Sequence, residues 1–270
     1  MYAGTTFSRG SGRVSGVHQR IDKVARRHIT KYVGINTVFP TIREILHFEG
    51  INGPDGNKRK SPFRDTQWHF INPSDPNDKQ LVILINDHLY NLTKALKEKE
   101  IERASFEAAW LAHAITDGLT PAHHYSLDNK IEELWGKPQN ERKTVFERNF
   151  IKGKVNMDTL SKNWQYWGAK GVFTAHVAFE WGIAMAITGH RFNNGAPKPS
   201  DLKRVETEGF EKMFLEAVHK VDDMKLYEEF GENGWTVELA DKTRRSLLPE
   251  IIRTVATAWY LASYNAEVKK

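Results

Sequence analysis

Apolar residues recur along this chain at steps of three and four far more often than in alternation, the spacing of a helix face rather than of a strand. Over residues 14–33, Val17, Ile21, Val24, His28 and Tyr32 share one stripe that ends at Gly34, which predicts a first helix. A short helix is predicted near 39–48. The period is then lost in "EGINGPDGNKRKSPFRDTQWHFINPSD", where Gly, Pro and Asn give the composition of a long loop. Loops of such length are usually functional or disordered, and Trp68, His69 and Phe70 argue for order.

Periodicity resumes in "DPNDKQLVILINDHLYNLTKALKEKE", with Asp75 as a cap, Pro76 in the first turn, and Leu81, Ile85, His88, Leu92 and Leu96 on one stripe. A helix over 102–117 follows, stopped by Gly118 and Pro121. Further helices are predicted near 127–135, 140–151, 157–167 and 172–189. "RFNNGAPKPS" at 191–200 breaks the pattern, and helices near 201–230 and 236–267 complete the chain, the last with a kink expected at Pro249. No repeat or low-complexity segment interrupts this. The expectation is an all-α protein: a flexible N-terminal segment over 1–14 and a single multi-helix domain with long structured loops over 15–270.

Composition narrows the picture. With 270 residues, 40% of them apolar, the chain can bury a sizeable core. Its 27% charged residues, its mean hydropathy of −0.57 and the lack of any run near the roughly 18 apolar residues of a spanning helix argue against a membrane protein. "MYAGTTFSRGSGRVSG" has no apolar stretch of the secretory kind, so a cytoplasmic location is expected, or a secreted one if a leader has been removed. The absence of cysteine rules out disulfides and thiolate ligands, leaving histidine and carboxylate for any metal. A net charge of +5 favours anionic partners, although the basic residues are spread along the chain without interleaved aromatics.

The densest chemistry lies in "LAHAITDGLTPAHHY", residues 111–125. His113 and Asp117 are four apart in a helical segment, so both face the same side and can share one ion. His-x3-carboxylate is a weak pattern: eleven histidines at a 34-in-270 carboxylate frequency give roughly 1.4 chance matches, and the chain has five, at His18/Asp22, His113/Asp117, His124/Asp128, His176/Glu180 and His219/Asp223. The longer His-x3-Asp-x5-His, ending on His123, has a chance expectation of about 0.02.

"AHAITDGLTPAHH" resembles the central motif of the zinc-dependent phospholipase C and single-strand-specific nuclease superfamily, a helical His-x3-Asp followed by a Pro-x-His turn, here Pro121-Ala122-His123. "WHFINPSD" is similar to the family's second signature and makes His69 a ligand. Upstream of it the family has an aspartate: Asp55 in "GPDG" fits, with Asp65 as the alternative. "GVHQRIDKVARR" resembles the first helix, with His18 in place, and "FTAHVAFEWG" the last motif, His176 and Glu180, where phospholipases have Glu and nucleases Asp. The resemblance spans residues 15–185. The family's three-zinc members use the amino group and carbonyl of an N-terminal tryptophan, where this chain has Met1-Tyr2. The gap from His123 to His176 is also longer than usual, so 127–167 reads as a helical insertion, and His219/Asp223 competes with His176/Glu180 for their role.

The resemblance implies that Asp55, His69, His113 and Asp117 hold one zinc, that His123, His176 and Glu180 hold a second, and that His18 with Asp117 contributes to a third, Asp55 also being the candidate general base. Clustered zinc ions roughly 3.5–4 Å apart suit phosphodiester hydrolysis, which needs charge neutralisation, hydroxide at neutral pH and a stabilised leaving alkoxide. The expected function is therefore a phospholipase C-like, zinc-dependent phosphodiesterase with two or three zinc ions. The alternatives are a single-strand nuclease or nucleotide phosphohydrolase, and a non-catalytic helical binding protein retaining part of the metal site. The expected partner is a phosphodiester, either a phospholipid head group or a nucleic acid, with peripheral contact to a membrane surface. His28 and His88 read as packed histidines, His124 as a cap or hydrogen-bonding neighbour, and His47, His190 and His219 as solvated. Trp68 and Trp181 flank ligands and are placed to touch substrate or order the residues behind them.

Overall fold

The computed structural model describes Met1 and residues 16–33, 38–56, 69–144, 146–147 and 150–267. Asp65, Trp68 and Gly34, and all but Met1 of the expected N-terminal segment, lie outside them. The described residues are all-α, with no strand. The helices are α1 (Val17–Ile29), α2 (Ile42–His47), α3 (Gln80–Glu98), α4 (Ile101–Gly118), α5 (Leu127–Trp135), α6 (Asn156–Trp167), α7 (Val172–Ala186), α8 (Pro199–Glu208), α9 (Phe210–Asp222), α10 (Leu226–Asn233), α11 (Val237–Lys242) and α12 (Leu248–Glu267). None of them is long and apolar enough to cross a membrane.

The centre of the molecule is the α3–α4 hairpin with α12 laid against it and α1 packed on α12. Lys99 closes the hairpin in the left-handed region (φ 61°). From Ala104 to Gly118 nearly every residue of α4 is buried, as expected for a helix surrounded by others. Its alanines keep neighbouring backbones close, and the fully buried Trp259 of α12 donates its indole N–H to the Ala108 carbonyl at 3.0 Å. At Gly118 a Cβ would come within 2.7 Å of Phe214 and 2.8 Å of Leu81, so a side chain there would push aside the tips through which α9 and α3 close over the end of α4. A second, smaller core joins α5, α6 and the start of α7 through Ile131, Ile151 and Tyr166. These elements make up the stretch between His123 and His176 expected to be a helical insertion.

Several boundaries differ from the periodicity. α3 starts at Gln80 rather than at Asp75, because Asn72, Asp75 and Asp78 turn their side chains onto the backbone N–H groups of Ser74, Asn77 and Asn72 and hold 72–78 in turns. Of the helix expected over 140–151, the described residues show a short 3-10 turn at Gln139–Glu141 and helical residues 146–147. The segment 201–230 is three helices, divided at Gly209 (φ 84°) and Lys225 (φ 50°). The last run is relieved one turn ahead of Pro249 by a π-helical turn over Thr243–Leu247, which absorbs the strain of a proline without an N–H.

Candidate metal centre

α4 supplies the hub. His113 and Asp117, one turn apart, are 2% and 1% exposed, and the two oxygens of Asp117 face different neighbours. Oδ2 lies 3.2 Å from His113 Nε2 and hydrogen-bonds His69 Nδ1; Oδ1 lies 3.3 Å from His18 Nε2 and 3.5 Å from His123 Nδ1. The helix ends through Thr120 N–H on the Asp117 carbonyl, and Pro121 starts a single 3-10 turn, Pro121–His124, that swings His123 back toward the hub. Ile71 N–H donates to the His123 carbonyl at 3.2 Å, which ties the His69 segment to the same turn. On α7, His176 and Glu180 are one turn apart at 3.1 Å, and Glu180 is 2.9 Å from His123 Nε2. Asp55, in a helical turn over 54–56, reaches within 3.9 Å of His69 and 3.8 Å of His113.

All eight candidate ligands are thus brought together, and they fall into three groups able to hold a metal ion: His18, His113 and Asp117; Asp55, His69 and His113; and His123, His176 and Glu180, with donor atoms in each group within 4.8 Å of one another. The imidazoles are arranged in layers, His18 stacked on His113 at 3.9 Å and His123 on His176 at 5.0 Å. Among the described residues, His123 Nδ1 and His18 Nδ1 are buried without a hydrogen-bond partner, and His113 Nε2 faces only the Asp117 and Asp55 carboxylates. Orphaned ring nitrogens beside buried carboxylates fit a bound cation better than a satisfied polar core. These buried His/Asp/Glu clusters can bind a metal ion.

Charge tells the same story. Asp117 is held well below the ordinary carboxylate range: burial opposes this, but the Met1 ammonium, His123, His113 and His69 outweigh it. Glu180 is likewise held down, against burial, by the Met1 ammonium, His123 and His176. Asp55 is lowered, against burial, by His113 and His69. His113 goes the other way, raised well above 6.5 against burial by Asp117 and Glu49. His123 is lowered to about 3 by burial and by the Met1 ammonium. The ionised carboxylates draw in whatever positive charge is at hand, protons included, so a metal entering here displaces protons.

Three residues beyond the eight ligands also border the site, and of these Glu49 carries no sequence signal. Met1 is buried, its α-amino group 2.6 Å from Asp117 Oδ1 and 3.3 Å from Glu180 Oε1, and its carbonyl accepts from His18 Nε2 at 2.9 Å. Its ammonium is raised to about 10, since those carboxylates, with Asp55, overcome burial. Glu49, fully buried after α2, lies 3.3 Å from His113 Nδ1 and so turns the opposite nitrogen, Nε2, toward Asp117 and Asp55. Asp22, one turn after His18, has its carboxyl pushed up by burial and by Glu49. No spacing rule points to Glu49, because its partner is 64 residues away.

The other histidines lie apart from these groups. His124 shares its Nε2 proton with the Gly118 carbonyl at 3.1 Å and lies 3.5 Å from Asp222. His88 is buried against Glu107 at 2.5 Å, and His28 bonds the Phe192 carbonyl at 2.9 Å. His47, His190 and His219 are exposed, and His219/Asp223 joins none of the three groups. Trp181, beside Glu180, is 42% exposed. No family model, characterised protein or solved structure matches the chain.

Proposed function

We propose that this protein is a zinc-dependent phosphoric-diester hydrolase of the phospholipase C type. The observation that carries the reading is the clustering of three metal-competent groups around Asp117, which belongs to one of them and is approached by the other two through His69 and His123. Cysteine is absent and the donors are imidazole and carboxylate, a set that suits zinc. Asp55 with His69 and His113, and His123 with His176 and Glu180, would each hold an ion. A further ion would take His18 and Asp117. Zinc bound here supplies Lewis acidity toward a phosphoryl oxygen and acidifies water.

The chain's own groups do the rest. Asp55, ionised at neutral pH and the most solvent-open of the eight ligands, is available as proton acceptor for the attacking water. Glu49 holds the His113 ring in the orientation the hub requires. Glu180 rather than aspartate at the last motif favours phospholipid over nucleic acid.

The test is zinc per chain by elemental mass spectrometry on untagged protein, beside His113→Ala, followed by release of phosphocholine or of nucleotides by the loaded protein. Two or three zinc ions, fewer in the variant, together with phosphocholine release, support the proposal. Nucleotide release alone makes the protein a nuclease on the same scaffold. Zinc without either activity leaves a metal-holding binding protein, and no zinc after reloading overturns the metal reading altogether.

A further inference from the structure

The insertion between His123 and His176 ends in α6, whose two faces differ in an unusual way. Its inward face is polar or hydrogen-bonded: Asn163 bonds both the N–H and the carbonyl of Ile151, Thr159 accepts from Gly153 N–H, and Tyr166 packs into the small core. Its outward face is apolar. Met157, Leu160, Trp164 and Trp167 follow one another at steps of three, four and three and are 73%, 61%, 68% and 40% exposed. At 3.6 residues per turn they occupy an arc of about 80°. Val155, and the stacked rings of Phe146 and Phe150, 4.6 Å apart, add exposed apolar surface in the chain just before α6.

Large apolar side chains aligned on a solvent face mark a contact surface rather than a folding core. Charge says what it contacts. Residues 150–170 carry four lysines, Lys152, Lys154, Lys162 and Lys170, against the single Asp158. Lys152, Lys154 and Lys170 are exposed at the two ends of the stripe, while Lys162 pairs with Asp158 at 3.2 Å. Two copies meeting through this stripe would bring like charges together, which opposes self-association. Tryptophans in an apolar stripe bordered by lysines match the interface of an anionic bilayer, where the rings settle at head-group level and the ammonium groups reach the phosphates.

We propose that α6 docks the protein on anionic phospholipid membranes, with Met157, Leu160, Trp164 and Trp167 entering the head-group layer and Lys152, Lys154 and Lys170 held at its phosphates. The stripe abuts the helix that carries two of the ligands: the Trp167 ring lies 4.6 Å from Phe173, one turn ahead of His176 on α7. The choice of lipid over another acidic surface rests on the phospholipid reading of that centre, but binding and hydrolysis are measured separately.

The experiment uses the whole zinc-loaded chain in co-sedimentation with vesicles of phosphatidylcholine alone and of phosphatidylcholine mixed with phosphatidylserine. Hydrolysis of a short-chain soluble phosphodiester is followed in parallel. The expected result is salt-sensitive binding to the phosphatidylserine vesicles, at least about tenfold weaker for the double variant Leu160→Ser/Trp164→Ser. Lys152→Glu/Lys154→Glu should weaken it about fivefold or more per lysine and flatten the salt dependence. Both variants change exposed side chains, so zinc content, helicity and turnover of the soluble diester should stay at the parent level. Unchanged vesicle binding by the double variant, no binding by the parent, or a parent dimer that the double variant breaks would each overturn the proposal. Vesicle binding without hydrolysis of any diester would sink the hydrolase reading and leave the docking face standing; hydrolysis without vesicle binding would do the reverse.

Discussion

Glu49→Gln tests whether the centre is built from behind its ligands as well as at them. Glu49 is fully buried and lies 3.3 Å from His113 Nδ1, while its other oxygen accepts from Gly50 N–H at 3.2 Å. The substitution keeps the shape and removes the charge. Loss of a carboxylate behind a ligating imidazole typically costs 10- to 100-fold in metal affinity, about 1.4–2.8 kcal/mol. An opposing effect must be weighed. Glu49 is one of the groups that raise His113, so removing it also eases displacement of the proton that competes with the metal. The net loss is therefore largest at alkaline pH, where no proton competes, and shrinks as pH falls. The assay is zinc competition against a chromophoric chelator across pH, with Glu44→Gln, in the exposed cap of α2, as a control that leaves affinity unchanged. A Glu49→Gln protein that is folded and binds zinc as tightly as the parent at alkaline pH would refute the reasoning.

Three further outcomes follow from the same geometry. His123 titrates near 3 in the fold against about 6.5 unfolded, so the metal-free protein should lose stability as pH drops below about 6.5 and stop losing it on this account below about 3. Urea midpoints across that range should fall less steeply for His123→Gln, and parallel curves would count against it. Glu107, fully buried between His88 and Arg103, belongs to the scaffold: Glu107→Ala should cost about 3–5 kcal/mol in urea unfolding while zinc content at low temperature stays at the parent level. At Gly182 a Cβ would lie 1.8 Å from the Trp235 ring, so Gly182→Ala should displace that ring, lower stability by about 1–3 kcal/mol and shift the tryptophan emission; an unchanged spectrum and midpoint would show that the ring has room to move.

Much of this was legible in the chain because helices write local patterns. The stripe of α3 and the pair His113/Asp117 depend on residues three and four apart, and both are present as read. What the periodicity could not show depends on competition or on distance. The start of α3 is lost to side chains of Asn72, Asp75 and Asp78 that bond the backbone themselves, and the division of 201–230 hangs on single left-handed residues, Gly209 and Lys225. Glu49 and Met1 reach the hub across 64 and 116 residues, a separation no spacing rule spans. In α6 the helix itself was legible, but its sequence has apolar residues on more than one side. Only the packing of Tyr166 and Asn163 decides that the tryptophan stripe faces outward.

The position of His113 in two of the three groups sets a limit on how the centre can fill. Its Nδ1 faces Glu49, which leaves one lone pair, on Nε2, and one lone pair can be given to one ion only. The His18 group and the Asp55 group therefore contend for the same donor, and whichever ion loses must complete its shell with water. Loading is then a sequence of unequal steps, with the last ion the weakest held and the first to exchange. A zinc titration of this protein should read as distinct affinities rather than as repeats of one.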